Sequence, residues 1–237
     1  MEQFEKSELK TSWSKFAPVF VLEGKDGLSV DSIIFDLDGT LWDSRETVAA
    51  AWNAAIEQNN LDAEPITVED LKSTMGLQMQ DIMKKLFPQY NETVRAELIE
   101  ACGEVECVYL NKSGGELYHR VEEVLSRLAE SYPLYIVSNC QEGYIEAFLS
   151  FHQLERYIKD FENPGRTGLS KGENIQLLIE RNGLEQPIYI GDTAGDQQAA
   201  EYAGIPFVYA AYGFGDVESF DRKIDRFENL MEIAKLT

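Results

Sequence analysis

The sequence predicts an α/β fold in which a doubly wound parallel sheet is interrupted, after its first strand, by an all-helical insertion. Three observations lead there. Short apolar runs at 32–35, 134–137, 188–190 and 207–209 are too brief for helices and read as strands buried on both faces. Helical patterns at 121–128, 143–151, 171–181 and 194–202 alternate with the later runs, and that alternation builds a parallel sheet covered on both sides. Between the first strand and the alternating part, 45–112 carries helical patterns alone. The whole reads as a Rossmann-like core with a helical cap.

Taken in order, residues 1–29 form an extension to which the sequence assigns no role. Its Gly24-Lys25-Asp26-Gly27 stretch is a turn signal, consistent with a hairpin, a docked arm or a disordered leader. The functional fold is expected to begin near residue 30, where the strand at 32–35 runs into an Asp-rich loop. Ser44 or Asp43 can cap a helix reaching residue 58, and Thr67 with Asp70 three residues on starts a second. A third covers 81–87 before Pro88, and Asn91 opens a long one through 110. Lys112-Ser113-Gly114-Gly115 is expected as a linker back to the core. These signals set the boundaries at 30–43 and 114–237 for the core, and 44–113 for the cap. Later, Pro133 leads into a strand, and Gly183 and Gly204 close helices.

The chain has 237 residues, 44% hydrophobic and 27% charged, enough to bury a core without disulfides. Its three cysteines, Cys102, Cys107 and Cys140, are too few for a disulfide framework, which suits a reducing, cytoplasmic setting. A formal net charge of -21 and a pI near 4.4 argue against nucleic acid and anionic membrane surfaces as partners. A phosphorylated ligand is repelled too, unless a cation or a placed lysine concentrates positive charge locally. No run has the unbroken apolar length of a membrane span.

Asp36 and Asp38 leave the first strand on a loop that Gly39 lets turn and Thr40 can fix. Alone, Asp-x-Asp-Gly is more often an acidic turn. Gly191-Asp192-Thr193-Ala194-Gly195-Asp196 puts two further carboxylates at another strand's end, although both can equally cap the next helix. Four converging carboxylates repel one another unless a hard cation such as Mg2+ joins them. Ser138-Asn139 ends a third strand, where a hydroxyl beside free amides can hold a phosphate oxygen. Lys171, just ahead of a helix, can bring an ammonium there; otherwise it is a solvated surface residue.

The ordered set Asp36-Leu37-Asp38-Gly39-Thr40-Leu41, Ser138, Lys171 and Gly191-Asp192 through Asp196 resembles the haloacid dehalogenase superfamily. The run Ala199-Ala200-Glu201-Tyr202-Ala203-Gly204 matches the segment just after the family's last acidic motif, and the insertion resembles the cap of its phosphoglycolate phosphatase-like members. The resemblance implies a Mg2+-dependent phosphatase acting on a small phosphorylated metabolite, as a monomer or weak homodimer. Asp36 is then the nucleophile that takes the phosphoryl group, and Asp38 the general acid and base. The resemblance assigns the metal to Asp36, the Asp38 main-chain carbonyl, Asp192 and Asp196, and the phosphate to Ser138, Asn139 and Lys171. It equally covers a phosphomutase of the same fold, and a non-catalytic phosphate-sensing protein retains the same residues. The sequence departs from the family where Gly172-Glu173 replaces a proline after Lys171, leaving Arg166 as a weaker second cation.

For specificity the sequence offers Trp42, which either narrows the site or packs under the cap, and the loop Gly76-Leu77-Gln78 between two cap helices. With Gln78 and Gln80 and no basic side chain, that loop is expected to prefer neutral, hydroxyl-bearing groups. Cys140 is read as a buried structural thiol, His119 and His152 as uninvolved, and Trp13, Trp52, Tyr109 and Tyr118 as packing.

Overall fold

A computed structural model describes residues 20–22, 28–61 and 63–233. Of the extension, β1 (Phe20–Leu22) pairs antiparallel with β2 (Leu28–Val30). That agrees with a hairpin; the Gly24–Gly27 turn, Trp13 and the rest of 1–19 lie outside the described residues. β3 (Ser32–Phe35) then enters the main sheet, every residue buried.

After β4 (Trp42–Asp43) come α1 (Arg45–Gln58), α2 (Val68–Lys72), α3 (Met79–Leu86) and α4 (Glu92–Ser113). Their caps follow local chemistry. Thr67 and Asp70 close a reciprocal capping box on α2, and Asn91 accepts the amide of Val94 to start α4. At α1, Asp43 rather than Ser44 does the work, its carboxylate taking the Arg45 amide at 3.1 Å. The expected linker is shorter than its composition suggests, because Lys112 and Ser113 finish α4 and only Gly114, at φ +62°, breaks it. β5 (Glu116–Leu117) pairs antiparallel with β4, bringing the outgoing and returning chains together.

The chain continues through α5 (Val121–Ala129), β6 (Leu134–Val137), α6 (Tyr144–His152), β7 (Ile158–Glu162), α7 (Pro164–Thr167) and α8 (Lys171–Asn182). It ends with β8 (Pro187–Gly191), α9 (Ala194–Ala203), β9 (Phe207–Ala210), β10 (Arg222–Ile224) and α10 (Asn229–Ile233). Six strands form one parallel sheet in the order β10-β9-β8-β3-β6-β7. Side chains alternate across it. Ile33 and Phe35 join a large core that runs into the helical insertion, while Ile34 packs with Tyr135, Tyr189, Ile175 and Leu178 on the other face. α4 lies along both α1 and α6, so the insertion is seated on the core.

Two edge strands escape the sequence pattern. β7 and β10 are largely unburied and carry Lys159, Asp160, Arg222 and Lys223, so neither shows the apolar run of a central strand. Trp42 is fully buried, its ring 4.9 Å from Phe148 and 5.8 Å from Tyr144 and His152. These rings are all on α6, so Trp42 packs against that helix and does not line the cleft between insertion and core. Among the described residues no helix is long and apolar enough to cross a membrane.

Candidate active site at the carboxyl edge of the sheet

The strand order decides what meets. β3 sits between β6 and β8, so the loops bearing Asp36, Ser138 and Asp192 are neighbours at one edge, the usual ligand crevice of such sheets. Gly39 makes the close approach possible. It adopts φ +84°, and a Cβ there would come within 2.2 Å of Asp192 Oδ2.

Lys171 is buried at the first turn of α8 and lies 2.8 Å from Asp36 Oδ1 and 2.6 Å from Asp196 Oδ1. Ser170 and Glu173 form the capping box that starts this helix, which aims Lys171 inward. Gly172 has its own packing reason, since a Cβ there would sit 2.7 Å from the Tyr202 ring on α9. Arg166 stands elsewhere, over the Phe161 ring and beside Glu162, so it is not a substitute cation.

Asp196 combines both roles expected of it. Its Oδ2 accepts from the amides of Asp192 and Thr193 and from the Thr193 hydroxyl, as a helix cap does, while Oδ1 faces Lys171 and the Tyr189 hydroxyl. Asp192 accepts the Phe214 amide at 2.7 Å and the Thr40 hydroxyl at 3.4 Å. Asp36, Asp192 and Asp196 bring carboxylate oxygens within 4.8 Å of one another, all buried. The Asp38 carboxylate is outside this group. It receives Ser44 Oγ at 2.6 Å, and the Tyr144 hydroxyl lies 2.9 Å from the same oxygen and 2.8 Å from Ser44 Oγ.

Two carboxylates one residue apart therefore have different surroundings. Burial and the Asp196 charge push the Asp36 carboxyl up to about 7, against the pull of Lys171. Burial raises Asp38 to about 6, with Ser44, Tyr144 and Trp42 restraining the rise. Burial and its two acidic neighbours lift Asp192 well above the ordinary range. Lys171 moves up as well, because the Asp196 and Asp36 charges outweigh the cost of burying it. Three buried carboxylates with one ammonium leave an uncompensated negative charge, which suits a hard divalent cation with oxygen ligands.

The cleft above this edge encloses about 520 Å3 with its open mouth included, a size for a small molecule. Asp36, Asp38, Ser138, Asn139 and Lys171 line it from the core, and Thr74, Met75, Leu77, Met79 and Ile82 from the insertion. Several expected residues are placed differently. Asn139 Nδ2 donates to the Gly76 carbonyl at 2.9 Å, so this amide ties core to insertion while it lines the cleft. Gly76 lines the cleft, but Gln78 does not, and Gln80 is exposed; the loop presents Met75, Leu77 and Met79 instead. The expectation of a glutamine-lined reader is corrected accordingly: Gln78 is at the start of α3, where its backbone begins the helix.

Sequence reasoning misses Ser44 and Tyr144, which hold Asp38, and Glu106, which lines the cleft from α4. Ser44 carries a signal, but one that points to a helix cap; Tyr144 and Glu106 sit in helices with nothing local to mark them. Trp52, expected only to pack, also lines the cleft and donates to Glu106. Cys140 lines the cleft as well, and burial pushes its thiol far up, which makes it a poor nucleophile. His152 packs among Trp42, Phe148 and Phe151, and exposed His119 lies 3.6 Å from Glu228.

Known proteins share this arrangement of elements. The model of the haloacid dehalogenase-like hydrolase family matches residues 33–210. A phosphoglycolate phosphatase of Synechococcus elongatus is 30% identical over 195 residues, covering 80% of this chain and 88% of that protein. One from Aliivibrio fischeri is 27% identical over 221 residues, covering 86% and 96%. A solved haloacid dehalogenase-like hydrolase from Streptococcus pneumoniae superposes with a TM-score of 0.74 at 19% identity, over 86% of this chain and 97% of that one.

Proposed function

The chain belongs to the haloacid dehalogenase-like hydrolase family, and from that premise we propose that it is a Mg2+-dependent phosphatase that hydrolyses a small phosphorylated metabolite through an aspartyl-phosphate on Asp36. The observation that carries the reading is the division of labour between neighbouring carboxylates. Asp36 shares Lys171 with Asp196 inside the acidic group, while Asp38 is held apart by Ser44 and Tyr144. The named relatives point in the same direction.

In the proposed reaction an Asp36 oxygen attacks phosphorus in line and the bond to the ester oxygen breaks. Asp38, held by Ser44 and Tyr144, gives that oxygen its proton. The resulting Asp38 carboxylate takes a proton from water, whose oxygen attacks the aspartyl-phosphate, releases phosphate and frees Asp36. Lys171 has three N–H bonds and directs two at Asp36 and Asp196, leaving the third for a phosphate oxygen, and Ser138 lines the same cleft. Asp36, Asp192 and the Asp38 carbonyl would hold Mg2+, with Asp196 fixing Lys171 and the loop. Bound there, Mg2+ supplies charge neutralisation for the incoming phosphate.

We assign the cap to 44–113 and the core to 30–43 and 114–237, with the β4–β5 pair as the crossing point; its two strands carry both connections. The deciding experiment measures phosphate release from p-nitrophenyl phosphate with and without Mg2+, for the parent and Asp36→Asn. Release by the parent that needs Mg2+ and disappears in Asp36→Asn supports the reading. Activity retained by Asp36→Asn defeats it.

A further inference from the structure

Glu106 is a carboxylate in an unusual position. It is 2% exposed, on the long helix of the insertion, yet it forms part of the cleft wall. One oxygen, Oε2, accepts the Trp52 indole N–H at 2.8 Å and the Gln141 side-chain amide at 2.9 Å. Trp52 is on α1 and Gln141 follows β6, so the carboxylate is clamped from the insertion and from the core together. Such bonds fix its orientation without neutralising it, because neither donor is charged. Burial pushes its carboxyl up to about 7, and the charge on Asp38 adds to that, which places the two acids within electrostatic reach.

The rest of the wall provides no counter-charge. Among the described residues lining the cleft, Lys171 is the one cation, and two carboxylates already hold it. Asn139 adds no charge either: its Nδ2 donates to the Gly76 carbonyl and its Oδ1 is buried. Beyond the phosphate position the donors of the wall are spent within it, Trp52 and Gln141 on Glu106, Tyr144 on Asp38 and Thr74 on the Leu71 carbonyl. The rest of the insertion's lining is apolar, Met75, Leu77, Met79 and Ile82 included. A ligand carboxylate entering there loses its water and finds no cation, and where pH exceeds about 7 it also meets the Glu106 charge. A hydroxyl or ammonium finds an oriented acceptor instead.

We infer that Glu106 is the specificity residue of the cleft, selecting phosphomonoesters whose leaving group carries a hydroxyl or ammonium donor and rejecting those that carry a carboxylate. The inference rests on the phosphatase reading and separates this chain's substrate class from the phosphoglycolate named for its relatives.

The test compares kcat/KM with Mg2+ for glycerol phosphate and phosphoethanolamine against phosphoglycolate, with p-nitrophenyl phosphate as reference. The parent is expected to favour the donor-bearing esters over phosphoglycolate by about tenfold or more. Glu106→Gln is expected to reduce that preference by about tenfold, through KM more than kcat, whereas a merely structural role would lower all substrates alike. Glutamine keeps an oxygen for Trp52 and Gln141, and if it nevertheless fails to fold, the parent's preference alone decides. A parent that hydrolyses p-nitrophenyl phosphate but prefers phosphoglycolate overturns the inference and leaves the phosphatase reading standing. A Glu106→Gln protein with unchanged preference also overturns it. No release from any of the four esters overturns the phosphatase reading and the inference with it.

Discussion

The two walls of the cleft are built on opposite principles. The core wall concentrates Asp36, Asp38, Lys171 and Ser138 at the ends of strands and at one helix start, each held by a hydrogen-bonded partner or packed backbone. The insertion's wall is mostly apolar, with Met75, Leu77, Met79 and Ile82 around one carboxylate, Glu106. Parallel strands buried on both faces hold their terminal loops within narrow limits, which suits bond-making chemistry. Helices carried on a single crossing at β4–β5 can exchange side chains without disturbing that edge, which suits selection. The difference teaches that the proposed reaction and the proposed preference draw on different walls.

The sharpest attempt to break this division is Asp36→Asn. It is expected to lower phosphate release by about a thousandfold or more, equivalent to about 4 kcal/mol of barrier, while the far-ultraviolet circular dichroism stays the same. Substantial residual activity would move the chemistry off the core wall.

Trp42→Ala tests the junction between the walls. Removing a fully buried indole that packs on Tyr144, Phe148 and His152 should cost about 3–5 kcal/mol in a urea titration. A loss under about 1 kcal/mol would mean that the junction does not depend on this ring.

Glu106→Gln probes the insertion's carboxylate through stability as a function of pH. The folded chain holds the Glu106 proton up to about 7, whereas the unfolded chain releases it near the ordinary glutamate value of 4.5. Stability contributed by the protonated acid is therefore complete below the unfolded value and is lost as pH rises through that window. Relative to the parent, the glutamine variant should match at about pH 4 and gain about 3 kcal/mol by about pH 8. Parallel stability curves for the two proteins would show that no buried charge develops at this position.

The smallest effect belongs to a cap far from the cleft chemistry. Thr67→Ala breaks the box with Asp70 at α2 and should cost about 1 kcal/mol in thermal melts, with no change in kcat. A changed kcat would couple the walls more tightly than their architecture suggests.

Legibility follows the same division. The central strands β3, β6, β8 and β9 are readable because burial on both faces makes them uniformly apolar. The edge strands β7 and β10 are not, since partial exposure admits Lys159, Asp160, Arg222 and Lys223 and erases the pattern. On the core wall Asp36, Asp38, Ser138, Lys171 and Asp192 stand out at strand ends or a helix start, and the structure does bring Asp36, Asp192 and Lys171 together. Asn139 lines the cleft but also binds Gly76, and Gln78 and Trp42 leave the cleft wall, because loop direction and ring packing depend on the partner surface.

By itself the sequence determined the four central strands, where the longer helices start, and which carboxylates end strands, since burial periodicity and capping act over a few residues. Only the tertiary structure decided that β3 lies between β6 and β8, that Ser44 and Tyr144 close on Asp38, and that Glu106 turns into the cleft. Ser44 is only six positions from Asp38, but the other contacts join residues far apart in the chain, as Tyr144 and Asp38 are by 106 positions. They are set by which strands pair and which helical faces pack, and no local pattern encodes either.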